Sequence, residues 1–358
     1  MSASYYDAKM KKKQTVFVGL SGGVDSSVAA LRLKKQGYNV VGVFIKVWHP
    51  DFMVCNWEQE RLDAMRVAAH LEIPFLTCDA EEAYKTEVAD YFIAEYKAGR
   101  TPNPDVMCNK AVKFGAFMKF AEAHGADYIA TGHYAQKIDN QMYRGVDVGK
   151  DQTYFLWSLT QQQLDKVLFP VGDTPKEKIR KEAEKAKIPV ADKQDSQGVC
   201  FLGHVDIPEF LSHYIDLKEG QVINTAGDIV GTHKGAFVYT IGQRHGFSLS
   251  KQTTSELPHY VVGKDVIKNV ITVATDKPSI SDPEDTKLTS LILREEIKVG
   301  DVLQAQFRYR QNPFTVCIVA ISDGELQISV TEVVERPAVG QSCVLYKGSL
   351  CIGGGIIG

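Results

Sequence analysis

Several function classes are excluded by what the chain has little of. It carries only seven cysteines in 358 residues, and the closest pair, Cys343 and Cys351, is too far apart for a CxxC zinc half-site or a dithiol redox motif. So few thiols do not make a disulfide scaffold either, and they point to a reducing compartment. No sign of charge dominates: 41 Lys and Arg stand against 44 Asp and Glu, for a net charge of −3. A protein that holds nucleic acid by bulk charge is thereby excluded, whereas an enzyme with a local basic surface is not. No apolar run approaches the ~20 residues of a membrane span. The first run, Val16–Leu20, follows the polar stretch MSASYYDAKMKKK and is too short for a signal-peptide core. The expectation is a cytoplasmic, monomeric chain with no membrane partner. There is no internal repeat and no low-complexity linker. At ~100–200 residues per domain, the length calls for two or three domains.

The first two hundred residues alternate strand-like and helical patterns. Thr15–Leu20, Asn39–Trp48, Pro74–Cys78 and Tyr128–Thr131 read as strands. Helical patterns occupy Ser26–Gln36, a stretch from an Asn56/Gln59 capping box to about Leu71, then Glu81–Ala98 and Lys110–His124. Such alternation predicts an α/β domain with a doubly wound parallel sheet that binds ligands at the carboxyl ends of its strands. After about Gly203, glycine becomes frequent between short β-prone pieces such as Ala236–Thr240. From about Thr286, short strands are punctuated by Asn312-Pro313, Asp323-Gly324 and Val339-Gly340, a spacing that suits a small barrel or sandwich.

The sharpest local signal is SGGVDSS, Ser21–Ser27, between the first strand and its helix. Gly22 and Gly23 permit a tight turn that points backbone N–H groups inward, and the hydroxyls of Ser21, Ser26 and Ser27 add donors. The following helix aims its positive end at the same place. This is a phosphate cradle, but not a Walker loop, because the Lys-Ser/Thr ending is missing.

SGGVDSS resembles the PP-loop of the ATP pyrophosphatase superfamily. With it stand GRTPNPDVMCN (Gly99–Asn109), ATGHY (Ala130–Tyr134), KDQTYFL (Lys150–Leu156), DSQGVCFLG (Asp195–Gly203), IGQRHG (Ile241–Gly246) and CIGGGII (Cys351–Ile357). Together these resemble the bacterial tRNA-specific 2-thiouridylases of the MnmA type, from the PP-loop to the C-terminus. The resemblance implies three domains: an adenine nucleotide α-hydrolase-like catalytic domain over 13–206, a small central tRNA-binding domain over 207–280 and a C-terminal β-barrel over 281–358. It also implies ATP-dependent thiolation of the anticodon wobble uridine of tRNA. The uridine 2-oxygen attacks the α-phosphate, pyrophosphate leaves, and a cysteine persulfide delivers sulfur to the adenylated base. Delivery is either by direct attack or as sulfide released when the partner cysteine attacks the persulfide; the sequence does not decide between the two. Mg2+ and a separate sulfur-donor protein are implied as cofactor and partner.

Residue by residue, the resemblance places ATP against Gly19, Leu20, Ser21, Gly22, Gly23, Val24, Asp25, Ser26, Ile45 and Gly132. It places the target base against Asn103, Pro104 and Asp105, and other tRNA contacts at His133, Lys150, Asp151, Gln152, Arg308, Tyr309 and Gln341. Cys200 would carry the persulfide and Cys108 would be its partner, the two ending as a transient disulfide.

Local chemistry speaks to some of these on its own. Cys108 follows a loop stiffened by Pro102 and Pro104 and precedes the helical pattern near Lys110, so a thiol at a helix start beside Lys110 and Lys113 should be partly thiolate. Cys200, beside Phe201 and Leu202, fits a core role by its pattern alone. Asp105 suits an Asx turn or helix cap as well as general acid/base chemistry. Cys55, Cys78, Cys317, Cys343 and Cys351 read as small core residues.

Lys97, Arg100, Lys110, Lys113 and Lys119, against the single acid Asp105, form a local basic excess around the Cys108 loop. In FRYRQ (Phe307–Gln311), Arg308 and Arg310 would share one face of a strand, and stacking by Tyr309 would need the other face or a bend. From Ser281 onward there are seven basic and ten acidic residues, so that part is no general RNA clamp. Two other functions compete with thiolation: another PP-loop adenylating tRNA-modifying ligase, which needs no cysteine pair, and an ATP-gated RNA-binding module.

Overall fold

A computed structural model describes residues 13–53, 57–195, 206–250, 257–280 and 284–358. The N-terminal sheet is built from β1 (Thr15–Gly19), β2 (Asn39–Lys46), β3 (Phe75–Asp79), β4 (Tyr128–Ala130) and β7 (Val167–Leu168), all parallel, in the order β3-β2-β1-β4-β7. Alternate residues of β1 serve two cores. Val16 and Val18 pack with Val24 and Val28 on one face, and Phe17 packs with Val43 and Phe117 on the other. A strand buried on both faces reads as a continuous apolar run, which is why TVFVGL was legible. The strand order reverses between β1 and β4, so the sheet opens a crevice at the carboxyl end of β1, directly before Ser21–Gly23.

Helices cover both faces. α1 (Val24–Lys35) and α2 (Trp57–His70) lie close to the expected limits. Asn56 of the expected capping box falls outside the described residues, and the Gln59 amide instead donates to Asp63 at 2.9 Å. Next come α3 (Glu81–Tyr84) and α4 (Tyr91–Lys97), joined by a π-helical segment, Lys85–Asp90. The following helix departs from expectation. It begins as α5 (Pro104–Cys108), passes through a π-helical segment, Asn109–Ala116, and ends as α6 (Phe117–Ala123). Asn103 caps it by accepting the Val106 N–H, with Pro104 in the first turn. The sequence pattern places the start near Lys110 because apolar periodicity takes hold only there.

A hairpin, β5 (Ala135–Ile138) and β6 (Gln141–Arg144), was not legible from the sequence. Its two-residue turn puts Asp139 and Asn140 at φ 49° and 61°, a geometry usually announced by Asn-Gly or Asp-Gly. The short helices α7 (Thr153–Leu156) and α8 (Gln161–Asp165) and the longer α9 (Lys176–Lys185) complete this part.

Beyond α10 (Ile207–Ser212), β8 (Gly220–Ile223), β9 (Ile229–His233), β10 (Phe247–Leu249), β11 (Tyr260–Asp265) and β12 (Val270–Ala274) form one sheet in the order β10-β9-β8-β12-β11. Ala236–Val238, which reads as β-prone, is a 3₁₀ turn. Phe92, Ile93 and Tyr96 of α4 share a core with Phe210, Val222, Tyr239 and Val261 of this central part.

The C-terminal part holds β13 (Ser279–Ile280), β14 (Glu284–Leu293), β15 (Val302–Gln306), β16 (Phe314–Ser322), β17 (Glu325–Val330), β18 (Val334–Glu335), β19 (Ser342–Lys347) and β20 (Leu350–Ile357). The ladder β14-β17-β16-β15-β19-β20 closes through a β14–β20 pairing into a barrel. Leu350 of β20 also pairs with Tyr143 of β6, so the N-terminal hairpin extends the barrel sheet. Among the described residues, no helix is long and apolar enough to cross a membrane.

Candidate active site

The crevice floor is the Ser21–Ser27 loop. Gly22 has φ 71°, and a Cβ there would stand 2.6 Å from the Glu60 carbonyl oxygen, so only glycine makes the turn. The loop's hydroxyls brace it: Ser21 N–H reaches Ser26 Oγ at 3.3 Å, and Ser27 Oγ donates to the Gly23 carbonyl at 2.7 Å. Gly132, just past β4, is packed against the start of α1. A Cβ on it would lie 2.6 Å from the Ser26 nitrogen. Two expected nucleotide residues, Ser26 in the first turn of α1 and Gly132 just past β4, therefore meet at the switch point. Ile45, near the end of β2, is buried, and its Cδ1 is 3.6 Å from where a Gly19 Cβ would be. A cradle of backbone donors at a helix start, walled by glycine, fits the triphosphate of ATP.

Asp25, the loop's only carboxylate, is engaged within the protein. Its oxygens accept Lys176 Nζ at 2.7 Å each, and Oδ1 accepts the Tyr134 hydroxyl at 2.8 Å. Lys176 is only 7% exposed and also reaches Asp195 at 2.7 Å. Lys150 at 2.7 Å and Arg180 at 2.6 Å converge on the same carboxylate. Burial pushes the Asp195 carboxyl up, but hydrogen bonds from Lys150 and Lys176 and their charges outweigh it and hold it well below the usual range. Among the described residues no three His, Cys, Asp or Glu side chains converge as a metal site. With Asp25 committed to Lys176, the described residues offer Mg2+ no cage of their own.

His133 is buried beside this floor. Lys113 Nζ lies 3.4 Å from its Nε2, and Thr131 Oγ1 lies 2.8 Å from its Nδ1. An ammonium can only donate, so Nε2 is the acceptor and Nδ1 carries the proton. Burial, with the Lys113 charge adding to it, drives the His133 pKa well below its ordinary value.

Cys108 is fully buried at the end of α5. Because the helix starts at Pro104, its positive end falls on Asn103–Asp105 and not on the thiol, which corrects the expected helix-start placement. Thr101 N–H donates to the Val339 carbonyl at 2.8 Å, and the Thr101 hydroxyl lies 3.1 Å from that of Thr240, so this loop touches all three parts of the fold. Cys200 lies outside the described residues, as does Cys55. Cys78, Cys343 and Cys351 are buried as expected, whereas Cys317 is half-buried on the outer side of β16.

Among the expected tRNA contacts, Asp151 is buried and accepts from Arg144, the Gly145 N–H and Thr153. Gln152 Oε1 accepts the Tyr134 N–H at 2.9 Å. Phe307–Gln311 leaves the strand after Gln306, and Arg310 has φ 63°, so Arg308 and Arg310 do not share a strand face. The bend lets Tyr309 pack on Phe155, ring centroids 4.5 Å apart, with Arg310 stacked over it at 5.1 Å. Arg308 pairs with Glu335 at 2.5 Å, and Gly242 of IGQRHG sits against both. Arg100 pairs with Glu95, which reduces the expected basic excess.

Comparison with known proteins settles the lineage. Residues 14–204 match the family described as tRNA methyl transferase HUP domain, residues 208–275 its PRC-barrel domain, and residues 290–357 the aminomethyltransferase beta-barrel domain. The tRNA-specific 2-thiouridylase MnmA of Bacillus subtilis is 42% identical over 98% of this chain and 96% of its own length. That of Listeria monocytogenes is 44% identical over 96% and 94%. The chain belongs to the MnmA family.

Within this MnmA-family chain, four site residues escaped the sequence reading. Lys176 lies in a charged run that looks like a solvated helix face. Tyr134 stands in ATGHY, but nothing local says that its hydroxyl reaches Asp25. Lys113 reads as part of the basic excess beside Cys108, with nothing local to pair it with His133, and Tyr154 stands in KDQTYFL with nothing to aim its hydroxyl at the barrel.

Proposed function

We propose that this chain is a tRNA-uridine 2-sulfurtransferase that consumes ATP, releases AMP and pyrophosphate, and replaces the 2-oxygen of the anticodon wobble uridine with sulfur. The observation that carries this is the juxtaposition at one crevice of a phosphate cradle (Ser21–Ser27 with Gly132) and the helix of Cys108, tied to it through Lys113 and His133. The descriptions of the matched domains say methyl transferase, while the curated relatives are thiouridylases. A phosphate cradle serves adenylation and has no use in methyl transfer, so the crevice favours the relatives' activity.

The PP-loop N–H groups hold the phosphates and stabilise the charge that develops as the uridine 2-oxygen attacks the α-phosphorus. Adenylation turns a poor leaving oxygen into AMP. Asn103, Pro104 and Asp105 receive the base, which must be unstacked, a small cost in an anticodon loop. Asp105 is the general acid/base of this step. The terminal sulfur of a Cys200 persulfide, loaded by a separate sulfur-donor protein, attacks C2 as AMP departs, giving a C2–S–S–Cys200 adduct. The Cys108 thiolate then attacks the Cys200 Sγ of that adduct, and the S–S bond breaks with its electron pair going to the sulfur on C2. The 2-thiouridine leaves behind a Cys108–Cys200 disulfide that cellular thiols reduce. His133, held neutral, accepts from Lys113 and keeps that cation at the crevice. Magnesium would arrive on the nucleotide's phosphates and would offset their negative charge there. Arg308 and Tyr309 form the barrel's contact with tRNA, and the chain works as a cytoplasmic monomer.

The test is incubation with tRNA, ATP, magnesium and a sulfide or cysteine-desulfurase source, with nucleosides read by mass spectrometry. A 2-thiouridine derivative is expected. A methylated nucleoside formed from a methyl donor, or tRNA bound and released unmodified, would sink the assignment.

A further inference from the structure

The loop that carries Asn103, Asp105 and Cys108 is fastened by the barrel. Gln341 Nε2 donates to the Thr101 carbonyl at 2.7 Å and to that of Pro102 at 3.4 Å. Its own backbone is fixed at both ends, N–H to Ala338 and carbonyl to the Ile357 N–H. Gly340 next to it has φ 93°, and a Cβ there would stand 3.0 Å from the Thr101 nitrogen and 3.1 Å from Arg100 Cβ. The turn before β19 therefore lies backbone to backbone on the loop.

A second fastening lies one residue on. Tyr154, fully buried, directs its hydroxyl at the carbonyls of Phe307 (2.9 Å) and Ser342 (3.3 Å), both in the barrel, and pairs with the Asn103 side chain. Asn103 Oδ1 accepts the Val106 N–H at 3.3 Å. The one Tyr154 proton goes to the barrel carbonyls, which leaves the Asn103 amide N–H to face the Tyr154 oxygen. One buried hydroxyl thus links the cap of α5 to the barrel backbone.

We infer that Gln341 and Tyr154 are positioning residues: with tRNA absent, they clamp Thr101–Asn103 onto the barrel, and so preset the helix that ends at Cys108. The inference rests on the sulfurtransferase activity proposed above for its kinetic consequence only. Gln341 then acts through the loop, and a direct grip on tRNA is the competing outcome.

The test uses the full-length, fully reduced chain and its Gln341→Ala and Tyr154→Phe variants; the second keeps the ring and removes only the hydroxyl. The rate at which iodoacetamide labels Cys108 without tRNA is followed by peptide mass spectrometry, with the buried Cys78 of β3 as internal reference. Thiolation kcat and KM for tRNA are measured alongside. A buried thiol is labelled through local opening, so a loosened loop should raise Cys108 labelling about fivefold or more in each variant while Cys78 is unaffected. The kcat should fall by a similar factor with KM for tRNA nearly unchanged. A raised KM with unchanged kcat and Cys108 labelling would make Gln341 a tRNA contact and overturn the inference. Faster labelling of Cys78 as well would reduce both residues to general stability and overturn it too. If the wild-type chain does not thiolate tRNA, the proposed activity fails, and the labelling rates alone still decide whether the clamp exists.

Discussion

Lys176 Nζ and the Asp25 carboxylate meet at 2.7 Å, joining a helix that reads as solvent-exposed to the phosphate loop 151 residues earlier. The same ammonium contacts Asp195, so one buried cation ties the loop to the residue that opens the DSQGVCFLG motif. Replacing Lys176 with Met leaves Asp25 without its cation in a largely buried place. The expected cost is about 3 kcal/mol, the low end for breaking a buried pair because Asp25 keeps some solvent. Urea unfolding measures it, and a loss under ~1 kcal/mol would show that the pair is screened like a surface bridge.

Gly132 tests the cradle directly. An added methyl would have to displace the start of α1, since its Cβ would stand 2.6 Å from the Ser26 nitrogen and 2.9 Å from the Asp25 carbonyl carbon. Gly132→Ala should lower thiolation by up to about a hundredfold, the order expected for an ångström-scale misplacement of a reacting group. ATP binding by calorimetry should weaken in parallel. Unchanged affinity would mean that the phosphates do not use this end of the crevice.

His133 gives a pH signature with a definite sign. Its folded pKa lies well below the ordinary 6.5, chiefly through burial. Below that value the unfolded chain takes up a proton that the folded site refuses. The stability contributed by the neutral ring is therefore present above pH 6.5 and lost as the pH falls from there, by up to about 1.4 kcal/mol per pH unit. Wild type and His133→Asn, compared by urea unfolding at pH 7.5 and 5.5, should differ in slope, with the variant less acid-sensitive. Equal slopes would place the ring in water.

The thiols divide by environment. Burial pushes Cys78 up to about 11, with the Asp79 charge adding to it, so it stays protonated and inert at neutral pH. Cys78→Ala should leave thiolation within twofold of wild type, whereas Cys108→Ser should abolish it. Loss of activity in both would make the cysteines structural.

Much of the fold was legible because β1 and β2 are buried on both faces and announce themselves as apolar runs, and because the Gly-Gly turn falls where the sheet order reverses. What escaped is long-range pairing. The β5–β6 turn uses Asp139-Asn140, not an Asn-Gly signal, and joins a barrel more than two hundred residues later through Tyr143 and Leu350. The start of α5 was misplaced because Asn103-Pro104 caps a helix whose first turn has no apolar rhythm. The nucleotide loop could be found from its own residues, but Lys176, Tyr134 and Tyr154 act across sequence gaps that no local pattern encodes.

The chemistry is tested most directly by nucleoside mass spectrometry of tRNA after reaction with ATP and a sulfur donor, for wild type and for the Cys108→Ser and Cys200→Ser variants. Wobble 2-thiouridine from the wild type and none from either variant is the expected result. Thiolation that survives loss of either cysteine, or a wild-type enzyme that leaves the uridine unchanged, would contradict it.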